Sequence, residues 1–530
     1  MKGFRNSLSW IYTAKKGGPG LSFLSSGRLV VTILSYLRQM LIASYFGLSW
    51  KTDAYSIALI VPFLIRRVVT NSFEPGFVPI LADVIERKGL EEGKKLVNRL
   101  LFWAGVSGFL LAGLLVLLGH DVVSMVGPGL DDQALELATV MVLIMLPMIF
   151  LFQINGFLLG YLTYQQRFGL QAFIGVLELT VALVTLVVGQ EFLGILALPL
   201  SSMVSVVVSF LVLAFLVMKT GFSYRLVVDP RGVDLRALMR MTFPVVGGTV
   251  FSLLGPITDK ILASFLGENS VTALTYADRI KEIALLVFLV PLQKIIGVRF
   301  SKRVAKKEIG LLKSDMADTM GWTSFAMFPA AVILTLLASP LVALLFQRGS
   351  FTASNSRLVG YALAFYAPWL AQFGFGGIAR RAFFALKDTV TPVLTSVWAL
   401  IVNVLLNFIL IGPLGIGGLA LATTLSSTGK SILVVYFLRK KMGSINGARI
   451  AKEQLKLLAA AGGMIASVFA LTELVPSRLT DPFWHRLGSM LVWLVSSSIV
   501  YLVIAAVLKA RVALDLLGRV RKIGRSRPWK

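Results

Sequence analysis

The sequence predicts an all-α polytopic membrane protein with about 14 transmembrane helices, arranged as two pseudo-symmetric six-helix lobes plus two C-terminal helices. Three observations lead to this fold class. Hydrophobic residues make up 56% of the 530 residues and charged residues only 15%, with a mean hydropathy of +0.82. Apolar runs of about 20 residues, the length that crosses the hydrocarbon core of a bilayer, recur along the chain. A short motif also repeats near the middle of the sequence, which indicates duplicated halves.

The apolar runs define fourteen predicted spans that are separated by short polar connections. In chain order the spans are 21–47, 53–78, 100–119, 135–162, 168–188, 192–218, 238–266, 271–298, 319–346, 357–385, 390–411, 415–438, 455–475 and 487–508. A transmembrane barrel would instead show alternating segments of about 10 residues.

Basic residues are distributed unevenly among the connections, and this pattern predicts the topology. Lys and Arg are concentrated in the N-terminal segment 1–20, in alternate connections and in the C-terminal tail 509–530. The intervening connections, such as 119–132, 189–191 and 412–418, contain neither residue. The positive-inside rule therefore predicts an even number of spans with both termini in the cytoplasm. The exceptions on the predicted outer side are Arg348, Arg478 and Arg486.

A short motif occurs in both halves of the chain. IASYFG at 42–47 recurs 220 positions later as LASFLG at 262–267. Each copy ends one predicted span and leads through a turn into the next, so the copies keep one orientation and predict parallel repeats. The N-lobe would comprise 21–218 and the C-lobe 238–438, with the last two spans at 455–508. In transporters built this way the ligand site lies between the halves.

Composition excludes several kinds of function. The net charge of +26 is spread over short loops and tails, so it predicts topology and not a nucleic-acid groove. With no cysteine and two histidines, the chain offers no thiolate nucleophile and no basis for a histidine metal site. No G-x-x-x-x-G-K-[S/T] nucleotide loop occurs, and the connections are too short for a catalytic domain. We therefore expect a transporter without a cofactor, and not an enzyme.

Charged residues within the first two spans are the strongest candidates for a binding site. Arg28, Arg38, Asp53 and Arg66 lie within or at the ends of these apolar runs. A guanidinium at bilayer depth costs at least a few kcal/mol unless it faces a protein interior or a water-filled cavity. Asp53 is the only acidic residue near the middle of this stretch, so we expect an anionic ligand. Alternatively, the arginines extend to the headgroups, which suits Arg67 best and Arg38 least.

The second half supplies further charges. Arg279 and Glu282 lie at the start of span 8 and join the predicted substrate site. Arg279 could instead pair with Asp278 or Glu282 on its own helix. Glu178 in span 5 and Lys430 in span 12 are intramembrane charges to which the sequence assigns no partner.

Side-chain oxygens in the second half form a candidate Na⁺ site. Asn403 and Asn407 are four residues apart, hence on one helical face, and Thr423 lies early in the next span. With Asp259, these oxygens suit a hard cation. The amides and the hydroxyl equally suit hydrogen bonds between helices.

Four sequence motifs resemble those of one transporter family. They are YLRQMLIASYFGLSWKTDAYSIALIVPFLIRR with FVPIL, SFLGENSVTALTYADRI, LLFQRGSFTASNS, and RRAFFALKDTVTP with NVLLNFILIGPLGIGGLALATTLS. Over about 25–440 the chain is similar to the MurJ (MviN) lipid II flippases of the MOP transporter superfamily. The resemblance implies two six-helix lobes around a central cationic cavity, with the last two spans forming a lipid-tail groove.

The resemblance also assigns functional residues. The essential cavity residues of the family correspond to Arg38, Asp53, Arg66 and Arg279, and Arg28 lies near a further family arginine. Asn407 stands where some members hold Na⁺ with an acid.

The expected function is therefore export of lipid II, the lipid-linked peptidoglycan precursor, from the cytoplasmic to the outer leaflet of the bacterial inner membrane by alternating access. Its diphosphate suits an arginine cavity. Membrane lipids are further expected partners, together with contact with the cell-wall synthesis machinery. Coupling to Na⁺, H⁺ or the membrane potential is expected to supply direction. The alternatives are a flippase for another polyprenyl-diphosphate glycan, such as an O-antigen unit, and a MATE-like cation or drug antiporter.

Overall fold

The computed structural model describes residues 19–69, 74–229, 235–288 and 290–525, and this part of the chain is helical, without strands. It divides into two compact units between Val271 and Thr272. The helices up to this boundary are α1 (Pro19–Phe46), α2 (Trp50–Ala58), α3 (Ile60–Val68), α4 (Glu74–Lys88), α5 (Leu90–Val126), α6 (Asp132–Tyr164), α7 (Phe168–Leu193), α8 (Ala197–Lys219) and α9 (Leu235–Ser264). Those that follow are α10 (Ser270–Phe288), α11 (Val290–Ala305), α12 (Ile309–Leu336), α13 (Ala338–Phe346), α14 (Ala353–Tyr366), α15 (Gly376–Ala385), α16 (Val390–Leu414), α17 (Ile416–Met442), α18 (Gly447–Leu474), α19 (Phe483–Val507) and α20 (Arg511–Arg525).

The membrane-protein fold class is confirmed, whereas fourteen spans stays a prediction. Within the described residues, nine helical segments are long and apolar enough to cross a membrane, or ten if one bent pair is a single span. One segment, Phe168–Lys219, has 52 residues and comprises α7 and α8, which pack against each other. A straight helix of that length would extend about 78 Å, against about 30 Å of hydrocarbon. This segment therefore contains two spans, as the sequence predicts.

Three predicted spans, 53–78, 238–266 and 271–298, are not among these segments. The first of them is divided in the structure into α2 and α3, which have nine residues each and are too short to cross a bilayer singly.

Solvent exposure in the structure follows the pattern of a protein surrounded by lipid. On α16, Leu405 and Phe408 are 58% and 65% exposed, while Asn403 and Asn407 are buried. In water such an arrangement would place polar groups inside and a large apolar surface outside, which soluble proteins avoid. In a bilayer it is the expected arrangement, because polar side chains turn away from the acyl chains.

The predicted second span, 53–78, is interrupted in the structure, near Pro62, where the sequence predicts that the helix bends. The helix breaks at Leu59, between α2 and α3, and α4 begins at Glu74. Pro62 lies one turn beyond the break and has no backbone N–H to donate to Ala58. The proline therefore accounts for the break.

A second break lies in the predicted span 357–385. Helix α14 continues as a 3₁₀ helix to Gly374, and α15 leaves it at an angle of 43°. Glycines at 374, 376 and 377 weaken a helix within this predicted span, and the structure bends at this point. Gly374 packs against Ser324 and Gly376 against Ser431 so closely that a Cβ at either glycine would overlap the serine.

Other element boundaries differ from the predictions. Helix α5 continues to Val126, so most of the predicted connection 119–132 is helical. The predicted span 319–346 is divided at Leu337 into α12 and α13, and 271–298 is covered by α10 and α11. The tail 509–530 contains an amphipathic helix, α20. Hydropathy alone does not reveal where a helix continues past the membrane surface.

Helices α4 to α8 share the main core of the first unit. Phe77, Leu158, Tyr161 and Leu213 are buried there. Helix α9 packs on α3, α4 and α5, so this helix of the predicted C-lobe lies within the first unit. The predicted lobe boundaries remain a prediction, since they rest on sequence repeats.

Two of the buried clusters of the second unit each join several helices. One joins α11, α12, α15 and α17, and the other joins α12, α18, α19 and the start of α20. Glu453 accepts hydrogen bonds from the backbone N–H groups of Arg511 and Val512 at 2.7 and 3.4 Å, and so caps α20. Between α15 and α16, hydrogen bonds from Lys441 and then Thr391 hold the pKa of the Asp388 carboxylate below its ordinary value.

The repeated motif has the same backbone conformation in both copies. Gly47 follows α1 with a φ of 59°, and Gly267 lies in the turn after α9 with a φ of 88°. Both angles fall in the left-handed region that favours glycine. The glycine in each copy therefore ends one helix and allows the turn into the next.

Candidate anion-binding site

Arg38, on α1, is held in place by neutral hydroxyl groups. Its Nη2 donates to Ser202 Oγ at 2.7 Å and Tyr55 Oη at 3.1 Å, and lies 3.5 Å from Ser201 Oγ. Both serines donate their own hydrogen to the carbonyl of Leu198. Their oxygens are therefore left to accept from Arg38.

The guanidinium of Arg38 keeps its full charge in this environment. Within the described residues no carboxylate pairs with it, and its Nη1 and Nε make no hydrogen bond. The side chain is partly buried, and Nε is fully buried. A cation oriented by dipoles, but not neutralised, is the arrangement expected of an anion-binding residue.

Asp53 lies in the first turns of α2, where it is 2% exposed. Ser49 and Thr52 form a capping box at the start of this helix, and the Asp53 backbone N–H donates to the Ser49 carbonyl at 3.0 Å. The positive end of the helix dipole favours a carboxylate at this position. Because an anion would be repelled by this carboxylate, we interpret Asp53 as a residue that positions α2.

Arg66, on α3, is paired with Glu178 on α7, and this corrects the expectation that the chain does not neutralise its own arginines. The pair is bidentate, with distances of 2.7 Å from Nη1 to Oε1 and 3.3 Å from Nη2 to Oε2. The guanidinium also lies 5.1 Å from the ring centroid of Phe152. Glu178 is 112 positions away, so no local reading of the sequence could identify it as the partner.

Arg28 and Arg67 are the remaining arginines of the first two spans, and only the side chain of Arg67 is described by the structure. The side chain of Arg28 lies outside the described residues, so its predicted role is untested. Arg67 is exposed, consistent with the interpretation that it extends towards the membrane surface.

Arg279 and Glu282 pair on α10 in the second unit, at 3.2 Å between Nη1 and Oε2. Both side chains remain about a third or more exposed, at 42% and 34%. Asp278 accepts instead from Lys281, at 2.5 Å. Of the two partners that the sequence allows for Arg279, the structure therefore selects Glu282.

The candidate Na⁺ ligands fall into two groups. Asn403 Nδ2 donates to Thr423 Oγ1 at 3.1 Å, and Asn407 Nδ2 lies 3.4 Å from Asn403 Oδ1, so α16 and α17 are joined by hydrogen bonds. Asp259 is buried on α9 in the first unit. Among the described residues, no three His, Cys, Asp or Glu side chains are grouped as a metal site. The contacts agree with interhelical hydrogen bonding, and the ion site stays a prediction.

Several residues around these charges were not identified from the sequence. Tyr55, Ser201 and Ser202 form the hydroxyl cluster that holds Arg38. The only sequence signal for it is the polar stripe of α8, where Ser201 and Ser205 are a helical turn apart and buried. Ordinary membrane helices use such serines for packing, so the stripe alone could not indicate a partner.

The chain is similar to a known family over most of its length. Residues 42–480 match the family model described as lipid II flippase MurJ. The lipid II flippase MurJ of Burkholderia cenocepacia is 30% identical over 444 residues, which cover 79% of this chain and 83% of that protein. The probable lipid II flippase MurJ of Haemophilus influenzae is 26% identical over 500 residues, which cover 89% and 96%.

Solved structures agree on the fold. A lipid II flippase MurJ in an inward closed conformation matches with a TM-score of 0.77 at 21% identity, covering 93% of this chain and 99% of that one. An inward-facing multidrug resistance MATE transporter of the MOP superfamily matches with a TM-score of 0.67 at 14% identity, covering 81% and 99%. The predicted transporter fold is therefore confirmed.

Proposed function

The chain belongs to the MurJ family of lipid II flippases, and from this premise we propose that Arg38 binds the diphosphate of lipid II during its transfer across the inner membrane. The protein is a multi-pass membrane transporter of this lipid. One observation carries the residue assignment: the guanidinium of Arg38 is fixed by three hydroxyl groups, and no carboxylate of the described residues neutralises it.

The chemistry of the cargo fits such a residue. Lipid II joins a polyprenyl tail to a disaccharide-pentapeptide through a diphosphate, and a head of this polarity cannot cross hydrocarbon unaided. Guanidinium groups bind phosphate through short, charge-assisted hydrogen bonds that are about twice as strong as neutral ones. Arg38 offers unused donors and a full positive charge, so it supports recognition of the diphosphate.

Arg66 and Arg279 are proposed as further contributors of a different kind. Each forms an ion pair, with Glu178 and Glu282 respectively. A phosphate that approached either arginine would compete with this carboxylate. We propose that these pairs hold the cations in place when the cargo is absent and exchange a carboxylate for a phosphate when it is present.

A MATE-like exporter of cationic drugs is less consistent with these residues. Cationic substrates require acidic groups, whereas the unneutralised charge on α1 is an arginine. The likeness to MATE transporters concerns the fold alone, at 14% identity.

The test of the proposed function is complementation. Expression of this chain should restore growth to a bacterium depleted of its own lipid II flippase, and lipid II should again become accessible at the outer leaflet. Restored growth without accessible lipid II would contradict direct transport. An O-antigen flippase mutant serves as the matched control, because rescue of that mutant alone would assign a different polyprenyl-diphosphate glycan.

We also propose that both termini are cytoplasmic, on the basis of the alternating basic connections. The absence of cysteine allows single cysteines to be introduced without background. A cysteine at Asp131, before α6, should react with an impermeant maleimide in intact spheroplasts. A cysteine at Lys306, between α11 and α12, should react only after permeabilisation. The opposite labelling pattern would refute this topology.

Energy coupling is proposed to come from the membrane potential. The candidate ligands Asp259, Asn403, Asn407 and Thr423 would allow a secondary contribution from Na⁺, and H⁺ is the other candidate ion. Because Thr423 Oγ1 and Asn403 Oδ1 already accept hydrogen bonds from the amides of α16, an ion at these two oxygens would compete with those bonds. Contact with the cell-wall synthesis machinery remains part of the proposal.

A further inference from the structure

Two cations occupy neighbouring helices of the second unit, away from the residues discussed so far. Arg380 lies on α15 and Lys430 on α17. The two helices touch where Gly376 packs directly on Ser431, with no room for a Cβ. Ser431 also hydrogen bonds to Gln372, in the 3₁₀ helix before α15. The backbones that carry the two cations are therefore held closely together.

Among the described residues, neither cation has an acidic partner: no hydrogen bond or ion pair involves Arg380 or Lys430, and the contact of Arg380 is with the ring of Phe373, 5.8 Å from the guanidinium carbon to the centroid. Lys430 directly precedes Ser431, and Arg380 lies one helical turn after Gly376, so both cations flank the contact between α15 and α17. Both side chains are partly buried.

Two other intramembrane cations of the described residues are neutralised by carboxylates. Lys281 pairs with Asp278 at 2.5 Å, and Arg66 pairs with Glu178 at 2.7 Å. Arg380 and Lys430 have no such partner among the described residues, and in this they resemble Arg38. Two cations without acidic partners on packed membrane helices are costly unless a ligand supplies the opposite charge.

The position of Lys430 argues against the alternative that it reaches the headgroups. It lies about 21 Å along the helix axis from the first residue of α17 and about 18 Å from the last. Arg439, Lys440 and Lys441 already mark one end of this helix. Lys430 is about 14 Å before them, farther than a lysine side chain extends. Lys430 therefore lies near the middle of the span.

We propose that Arg380 and Lys430 form a binding site for the phosphate of a membrane lipid within the second unit. Arginine supplies a planar set of donors and lysine a compact charge, a combination suited to phosphate. The depth of the site favours a ligand that is already in the membrane. Two sources share this chemistry: a polyprenyl diphosphate, which rests on the proposed function, and a bulk anionic phospholipid, which does not.

The experiment measures lipid binding to the full-length protein in nanodiscs or detergent by native mass spectrometry. The probes are undecaprenyl diphosphate, phosphatidylglycerol and, as a lipid without phosphate, diacylglycerol. Arg380→Met and Lys430→Met remove each charge with an unbranched side chain. Lys440→Met, at the exposed end of α17, is the matched control.

Each single variant should lower the affinity for the bound phosphate lipid about tenfold, and diacylglycerol binding should not change. A loss of affinity for undecaprenyl diphosphate alone identifies the cargo as the ligand. A loss of affinity for phosphatidylglycerol identifies a bulk lipid as the ligand. Either result supports the site. Should both variants bind both phosphate lipids as the wild type does, the cations have no ligand and the proposal is overturned. Wild-type failure in the complementation assay, with the affinity losses retained, would refute the transport function and leave this site standing.

Discussion

Replacing Arg38 with alanine is expected to abolish lipid II transport without unfolding the protein. The guanidinium is the one cation of the first unit shown here to be held by hydroxyl groups alone. Loss of charge-assisted hydrogen bonds to the diphosphate removes about 1.5–3 kcal/mol for each bond, so transport should fall at least tenfold. Arg38→Lys should also be impaired, because lysine keeps the charge but not the planar set of donors.

The measurement is the amount of lipid II exposed at the outer leaflet, normalised to the membrane level of each variant. Lys51→Ala is the matched control, since Lys51 is an exposed cation near the start of α2. Tyr55→Phe removes one hydroxyl that accepts from the Arg38 guanidinium and should reduce transport about tenfold, because a hydrogen bond to a charged group contributes about 1.5 kcal/mol or more. Transport by Arg38→Ala at the wild-type rate and level would refute the assignment of Arg38.

The fold class could be predicted from the sequence because it depends on quantities that a sequence contains. The apolar runs reflect membrane thickness, the alternating basic connections reflect the positive-inside rule, and the duplicated motif is a repeat that the sequence itself contains. The breaks could be predicted where a local residue causes them, as at the glycines of 374–377. The end of a helix could not be predicted where packing against other helices sets its length, as for α5, which extends to Val126.

The candidate site could be predicted only in part, for a physical reason. An arginine within an apolar run is recognisable, but its partner depends on contacts between distant helices. Arg38 and Arg66 look alike in sequence, yet one is held by hydroxyl groups and the other is paired with Glu178. The same limit applies to Lys430, whose neighbour Arg380 lies 50 positions earlier. Which charges are neutralised is therefore a property of the packed structure.

The transmembrane potential is expected to set the direction of transport. Its effect on the transport rate should be larger than that of any single substitution. The cargo diphosphate is anionic, and an inside-negative potential favours outward movement of negative charge. Each elementary charge that crosses the full field contributes about 2.3 kcal/mol per 100 mV. For two charges the contribution is about 4.6 kcal/mol, which corresponds to more than a thousandfold ratio of outward to inward transfer. Cationic side chains that move with the cargo reduce this ratio.

The measurement uses liposomes that contain the purified protein and fluorescent lipid II, without nucleotide. Valinomycin and a potassium gradient set the potential, and the outward rate should rise as the interior becomes more negative and fall when the sign is reversed. Replacing Na⁺ by choline should have the smaller effect, since two of the candidate ligand oxygens, Thr423 Oγ1 and Asn403 Oδ1, already accept hydrogen bonds. Valinomycin without a gradient is the control. A rate that ignores the potential but increases with added ATP would contradict the mechanism, because neither the sequence nor the described helices contain a nucleotide-binding loop.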